Sequence, residues 1–357
     1  MMMQRTRTRS MAVLRMAPML ALALALTALQ AQAAPESPGM SPLADQDLRL
    51  ARIGYRIAVQ NADRCPFPDR LTGLLLHDRA AYDERDRTLI AARFGLGNGF
   101  GVRDVIEGSA ADRAGIRRGD EIVALNGSEM ASFAVGLIGR TASYDRIDAF
   151  ETLLSRTLQQ GPATLELRRD GVPRTLQFPA DLGCGGRWVV IPANAFNAWS
   201  DGHYVAVTSR LMTDIADDAE LAFVVAHEMS HNILRHQEQL HGRSALLAQL
   251  GLGSARVKDT EIEADTLAVG LLARAGYDLG APERFLVQAA RKRPFDVPIT
   301  HPGLKRRIGI VTAEIARLQL HPSTATVAPS NAAFGSEHAR TVEPPAVTTP
   351  IALETID

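Results

Sequence analysis

The chain has 357 residues, 46% hydrophobic and 22% charged, with a formal net charge of −1 at pH 7. That balance excludes polyanion binding driven by net charge, and the length suits two compact domains. The two cysteines, Cys65 and Cys184, lack the spacing of a metal-ligand pair.

Arg5, Arg7, Arg9 and Arg15 are interleaved with the start of the chain, and an apolar run from Met16 to Leu29 follows. Ala31-Gln32-Ala33 then supplies a small-x-small cleavage signature. This layout predicts a cleavable secretory signal peptide over 1–33, with a core too short to cross a bilayer. Its removal takes four arginines and no acids, moving the formal charge to −5. No later stretch reaches the roughly 18 apolar residues that a membrane span needs. In an oxidising compartment Cys65 and Cys184 are expected to pair, clamping together the two ends of whatever lies between them.

Ser41–Asp63 reads as a helix with Leu48, Ile53, Tyr55 and Ile57 toward its buried side, and residues 41–90 are assigned to the N-terminal helical part of a larger body. The composition then changes. A glycine-rich loop, Gly95-Leu96-Gly97-Asn98-Gly99-Phe100-Gly101, leads into the strand Val102-Arg103-Asp104-Val105-Ile106. A short helix around Ala110–Ala114 precedes Gly119-Asp120-Glu121-Ile122 and the turn Asn126-Gly127. A helix from Tyr144 to Leu158 and a hairpin, Ala163–Arg169 with Thr175–Phe178 turned at Asp170-Gly171, complete the segment. Residues 91–181 closely resemble a bacterial-type PDZ domain. The resemblance implies β-augmentation, with a peptide C-terminus received at Leu96, Gly99, Phe100, Gly101 and Val102.

Residues 185–193 are expected to begin the main strand region, and Asn194–Val207 a loop and hairpin whose edge could bind an extended backbone. Asp217 followed by Glu220 fits a capping box, so a helix from about Ala219 to Leu240 would carry His227-Glu228-Met229-Ser230-His231 in its middle. This is an HExxH motif. Histidines at i and i+4 leave one helix face and can hold zinc, and Glu228 between them can take a proton from the attacking water. His236, five residues after His231, is turned about 140° away on a continuous helix and reads as a polar neighbour.

A third ligand is expected from Glu261-Ile262-Glu263-Ala264-Asp265. Glu261 and Asp265 share a face at i,i+4 while Glu263 points elsewhere, which favours Glu261 as ligand and Asp265 as the acceptor that orients a ligand histidine. Together with Asn194-Ala195-Phe196, Asp201-Gly202, Arg235-His236, Thr300-His301-Pro302 and Arg307-Ile308, these elements resemble the HtpX and CAAX-prenyl-endopeptidase family of gluzincin metallopeptidases. The resemblance spans about 185–310 and implies His227, His231 and Glu261 as ligands of one zinc ion. It also implies that His301 lies near the metal, there to steady the oxyanion or to gate the open coordination position. Residues 321–357, rich in Pro, Thr, Ala and Ser, read as a disordered tail.

The expected fold class is α+β: a mainly helical zincin-type domain over 185–320 with a small sheet edge, plus the inserted β-rich PDZ domain. The expected function is a periplasmic zinc endopeptidase acting on misfolded or unassembled envelope polypeptides in protein quality control. No nucleic acid partner is expected. Two rivals stay open: a PDZ-based assembly factor with a latent zinc site, and a zinc hydrolase of a non-protein bond.

Overall fold

In a computed structural model, residues 42–241, 254–292 and 303–320 are described. Residues 1–33, expected to be a signal peptide, His301 and residues 321–357 lie outside them. The described chain builds two hydrophobic cores, one around helices and one around a sheet.

Helix α1 (Pro42–Gln60) opens the helical body, burying Leu50, Ile53, Tyr55 and Ile57, whereas Leu48 is only half-buried. Short strand β1 (Pro68–Leu71) pairs with β8 (Asp181–Cys184) as an antiparallel ribbon. At its end Cys65 and Cys184 are joined in a disulfide, with Cα atoms 5.3 Å apart. Closing a loop of 119 residues is worth about 4–5 kcal/mol at most in the chain-entropy account.

Between these strands lies a six-stranded sheet. Its elements are β2 (Leu74–His77), β3 (Phe100–Val105), β4 (Glu121–Leu125), β5 (Ser128–Glu129), β6 (Ala163–Arg169) and β7 (Val172–Phe178). The strand order is β2-β3-β4-β6-β7, with β5 added to β4. Helices α2 (Arg87–Phe94), α3 (Ala110–Arg113) and α4 (Asp145–Gln159) complete the module. From α4, Ile147, Phe150, Leu154 and Leu158 enter its core. The β6–β7 hairpin turns at Asp170 and Gly171, both at positive φ (50° and 79°), the conformation that a two-residue primed turn requires.

Two expectations change here. The inserted module does not begin at residue 91: Leu74–His77 pairs with β3, so the sheet takes its first strand from the segment assigned to the helical body. Three consecutive leucines carry no period-2 signal, and their partner lies far along the chain. The second change concerns the peptide edge. β3 is an interior strand, flanked by β2 and β4. The Leu96, Gly99 and Val102 N–H groups are taken by the Ala91 carbonyl, the Glu121 carboxylate and the Asp120 carbonyl. Leu96, Phe100 and Val102 are core residues, and Gly101 is buried. These five positions therefore cannot receive a peptide strand; the edges of the sheet are β2 and β7.

The helical body resumes with β9 (Arg187–Ile191), β10 (Ala198–Ser200) and β11 (Tyr204–Thr208). β11 runs parallel to β9 and antiparallel to β10, leaving β10 at an edge of this small sheet. Then follow α5 (Ser209–Asp214), α6 (Asp218–Ile233), α7 (His236–His241), α8 (Ser254–Ala275), α9 (Ala281–Lys292) and α10 (Leu304–Leu320). The two modules are joined by polar contacts and by Ile106 and Leu75 of the sheet module, which pack on the helical core. Asp47 of α1 meets Arg103 of β3 at 3.1 Å, Arg187 of β9 meets Glu151 of α4 at 3.0 Å, and the Tyr55 hydroxyl donates to Asp181. Among the described residues no helix is long and apolar enough to cross a membrane.

Candidate metal centre

Helix α6 starts where Asp217 accepts the Ala219 N–H at 2.8 Å, an N-cap. The run from Leu221 to Ala226 is entirely buried, so the helix is fixed by packing before it reaches the motif. It does not continue to Leu240. It ends at Ile233, and Arg235 takes a left-handed conformation (φ 54°) before α7 begins at His236. The motif therefore sits in the last turns of α6, a boundary that no glycine or proline announces.

α6 packs lengthwise on α8, which brings Glu261 to the two histidines. The Nε2 atoms of His227 and His231 are 3.2 Å apart, and each is 3.4 Å from a Glu261 carboxylate oxygen. The two contacts fall on different oxygens of that carboxylate, and one ligand atom from each of the three residues lies within 4.8 Å of the others. A tetrahedral ion with bonds of about 2.0–2.1 Å places its ligand atoms about 3.3–3.4 Å from one another, close to the separation of the two Nε2 atoms. Two imidazoles and one carboxylate are also the donor set of a catalytic zinc site.

The neighbouring carboxylates act on the two imidazoles in different ways. Burial alone would pull the His227 pKa down, but hydrogen bonds to Asp265 and Glu261 outweigh it and push it up to about 10. His231 is pulled down to about 3 by burial and by the His227 charge. Asp265, completely buried, lies 3.0 Å from His227 Nδ1. Arg307 of α10 grips Asp265 with two N–H groups at 2.6 and 2.7 Å, keeping it below the usual carboxylate range although burial pushes the other way.

Glu228 is half-buried on the same turn as the two histidines. Burial raises its pKa, with the His227 charge and a hydrogen bond from Ser200 of β10 opposing in part. Asn232 fastens the strands to this helix: it accepts the Gly202 N–H at 2.7 Å and donates to the Tyr204 carbonyl at 3.2 Å. Glu263 is exposed and does not reach the donor triad; it meets His236 Nε2 at 3.1 Å. His236 is buried, with its Nδ1 2.9 Å from His231 Nδ1. The sequence thus misses Ser200 and Asn232, and it gives Arg307 only as part of the family pattern, without a role. Each acts across a tertiary contact.

Residues 187–257 match the model of peptidase family M48, and residues 101–134 match that of a PDZ domain. A Vibrio cholerae protein described as a beta-barrel assembly-enhancing protease is 29% identical over 143 residues. That match covers 30% of this chain and 30% of the relative, so the chain matches less than a third of the relative's length. Two solved structures each overlap 32% of this chain at 20% identity. One is the HtrA3 PDZ domain bound to a phage-derived ligand (89% of that chain, TM-score 0.24), and the other the HtrA-type protease AlgW with a decapeptide (30%, TM-score 0.23). The two family matches support a metallopeptidase segment of the M48 type and a PDZ segment within this chain.

Proposed function

We propose that the chain is a zinc-dependent endopeptidase of the bacterial periplasm that cleaves misfolded or unassembled envelope polypeptides. The observation that carries this reading is the convergence of ligand atoms from His227, His231 and Glu261, with the two Nε2 atoms 3.2 Å apart and each 3.4 Å from an oxygen of the Glu261 carboxylate. Those three residues would hold the zinc. When bound, zinc supplies Lewis acidity to the scissile carbonyl and acidifies the attacking water.

The remaining work falls to the chain's own groups. Glu228 takes the proton of the attacking water and passes it to the leaving amine, and its raised pKa suits a group that must both accept and release. Ser200 holds that carboxylate by a hydrogen bond, from a strand whose edge can pair with an extended substrate. Asp265 fixes the tautomer of His227 so that Nε2 keeps its lone pair. His301 remains the candidate for steadying the oxyanion on the family resemblance alone.

The disulfide supports an oxidising compartment. The relative's name, a beta-barrel assembly-enhancing protease, supports envelope polypeptides as the substrate class. The PDZ module would select or position substrate C-termini at a sheet edge, β2 or β7, in place of β3.

Glu228→Gln is the test. The variant should fold, keep zinc, and lose cleavage of unfolded casein by about 10²–10⁴-fold. Full cleavage by this variant would overturn the mechanism. Casein cleavage by the wild type that survives a zinc chelator would overturn the metal, and zinc binding with no cleavage would favour the assembly-factor reading.

A further inference from the structure

We propose that His236 and Glu263 are positioning residues that make His231 a metal ligand: His231 Nδ1–H donates to His236 Nδ1, and His236 Nε2–H donates to Glu263. The inference rests on the reading of His231 as a ligand through Nε2. From there the protons follow by elimination. A neutral imidazole that offers the Nε2 lone pair carries its hydrogen on Nδ1. The ring atom that receives it is His236 Nδ1, 2.9 Å away. His236 Nδ1 must then be an acceptor, so its own hydrogen sits on Nε2, 3.1 Å from the Glu263 carboxylate. Only this assignment satisfies both contacts with neutral rings.

The backbone is shaped for it. His236 is 1% exposed, so water cannot replace the His231 contact. On a continuous helix it would stand about 140° from the ligand face. The left-handed Arg235 breaks the helix one residue earlier and swings His236 back against His231, their ring centroids 4.9 Å apart. A non-glycine residue at positive φ costs about 1 kcal/mol or more, and such positions concentrate where geometry serves a site. The Arg235 guanidinium, stacked 3.8 Å over Phe67 and 3.4 Å from Glu238, helps to hold the bend.

One helix thereby serves every ligand. From α8, Glu261 reaches the donor triad directly, Asp265 holds His227, and Glu263 holds His231 through His236. The His227 arm is locked by Arg307. The His231 arm ends on a carboxylate that is 55% exposed and therefore more weakly anchored.

The test titrates zinc into metal-stripped full-length protein against a chromogenic chelator, with circular dichroism to confirm folding. Wild type should bind one zinc and Glu261→Ala should release it. His236→Leu should bind zinc about 10–100-fold more weakly, the loss typical when the partner of a ligand histidine is removed. His236→Asn, whose carbonyl oxygen can take the place of Nδ1 as acceptor, should recover most of that affinity. Glu263→Ala, at an exposed position that does not endanger folding, should weaken binding by about threefold, since solvent screens its charge. Wild-type affinity in both His236→Leu and Glu263→Ala overturns the relay while leaving the zinc site intact. Failure of the wild type to bind zinc overturns the site and the relay together.

Discussion

Each module buries an arginine–carboxylate pair, and the two pairs differ in how they end. In the PDZ module Arg146 and Asp78 are essentially inaccessible, 2.7 Å apart. Arg146 also donates to the carbonyls of Phe133, Asn98 and Met130, and it lies over the Phe100 ring at 4.3 Å. Asp78 in turn accepts the Ala81 N–H. Every strong group in that network has a partner, so it closes on itself. In the helical body, Arg307 and Asp265 begin in the same way, but the chain of contacts runs on through His227 to three lone-pair donors facing one another. Acceptors crowded together repel unless a cation lies between them. Burial and charge are common to both networks; convergence of acceptors marks the site.

The contrast predicts different losses when each arginine is removed. Arg146→Leu leaves Asp78 buried without its partner, which should cost about 3–5 kcal/mol. It should appear as a lower unfolding midpoint of the PDZ module with zinc affinity unchanged. A large fall in zinc affinity would mean that the closed network is coupled to the metal centre. The PDZ module should also be acid-sensitive. His77 is held down to about 4 by burial, with the Arg103 charge adding to it, and its ring packs against Tyr82 and Phe94. Between pH 6.5 and 4 the unfolded chain binds a proton that the folded chain refuses. The stability that His77 contributes is therefore full above pH 6.5 and falls by about 3 kcal/mol as the pH drops to 4. His77→Phe should flatten that slope in urea unfolding curves; an unchanged slope would assign the acid sensitivity elsewhere.

What could be read from the sequence was local. His227, Glu228 and His231 are fixed relative to one another by helical spacing, and the i,i+4 relation of Glu261 and Asp265 gives their shared face. The Asp170-Gly171 turn requires positive φ at both positions, which the sequence states outright. The PDZ edge could not be read that way. A glycine-rich loop before an apolar strand looks the same whether the strand is at the edge or inside, and here β2 arrives from upstream to cover it. The role of Arg307 was equally hidden, 42 residues from Asp265 and 80 from His227, on a helix whose pattern reports only its apolar face. His236 was placed correctly as a neighbour of the site, but its contact with His231 depends on a bend that neither glycine nor proline signals.

The open network should respond to Arg307→Met with a smaller stability loss in the zinc-loaded protein than Arg146→Leu causes, because bound zinc still compensates Asp265 through His227. Its zinc affinity should drop about 10–100-fold, or about 1.4–2.7 kcal/mol. A drop in stability with unchanged affinity would make Arg307–Asp265 another closed pair and erase the distinction. The smallest effect is expected at the bend. Arg235→Gly removes the stacking on Phe67 but relieves the cost of a side chain at φ 54°, terms of about 1 kcal/mol each and opposite in sign. Stability and zinc affinity should both stay near wild type. Arg235→Val keeps no stacking and adds a β-branched side chain where the left-handed region is least tolerant. It should straighten or unsettle the α6–α7 junction and weaken zinc as His236→Leu does. If glycine and valine behave alike, the left-handed turn is incidental to the site; if only valine fails, the backbone at Arg235 belongs to the open network as much as any side chain in it.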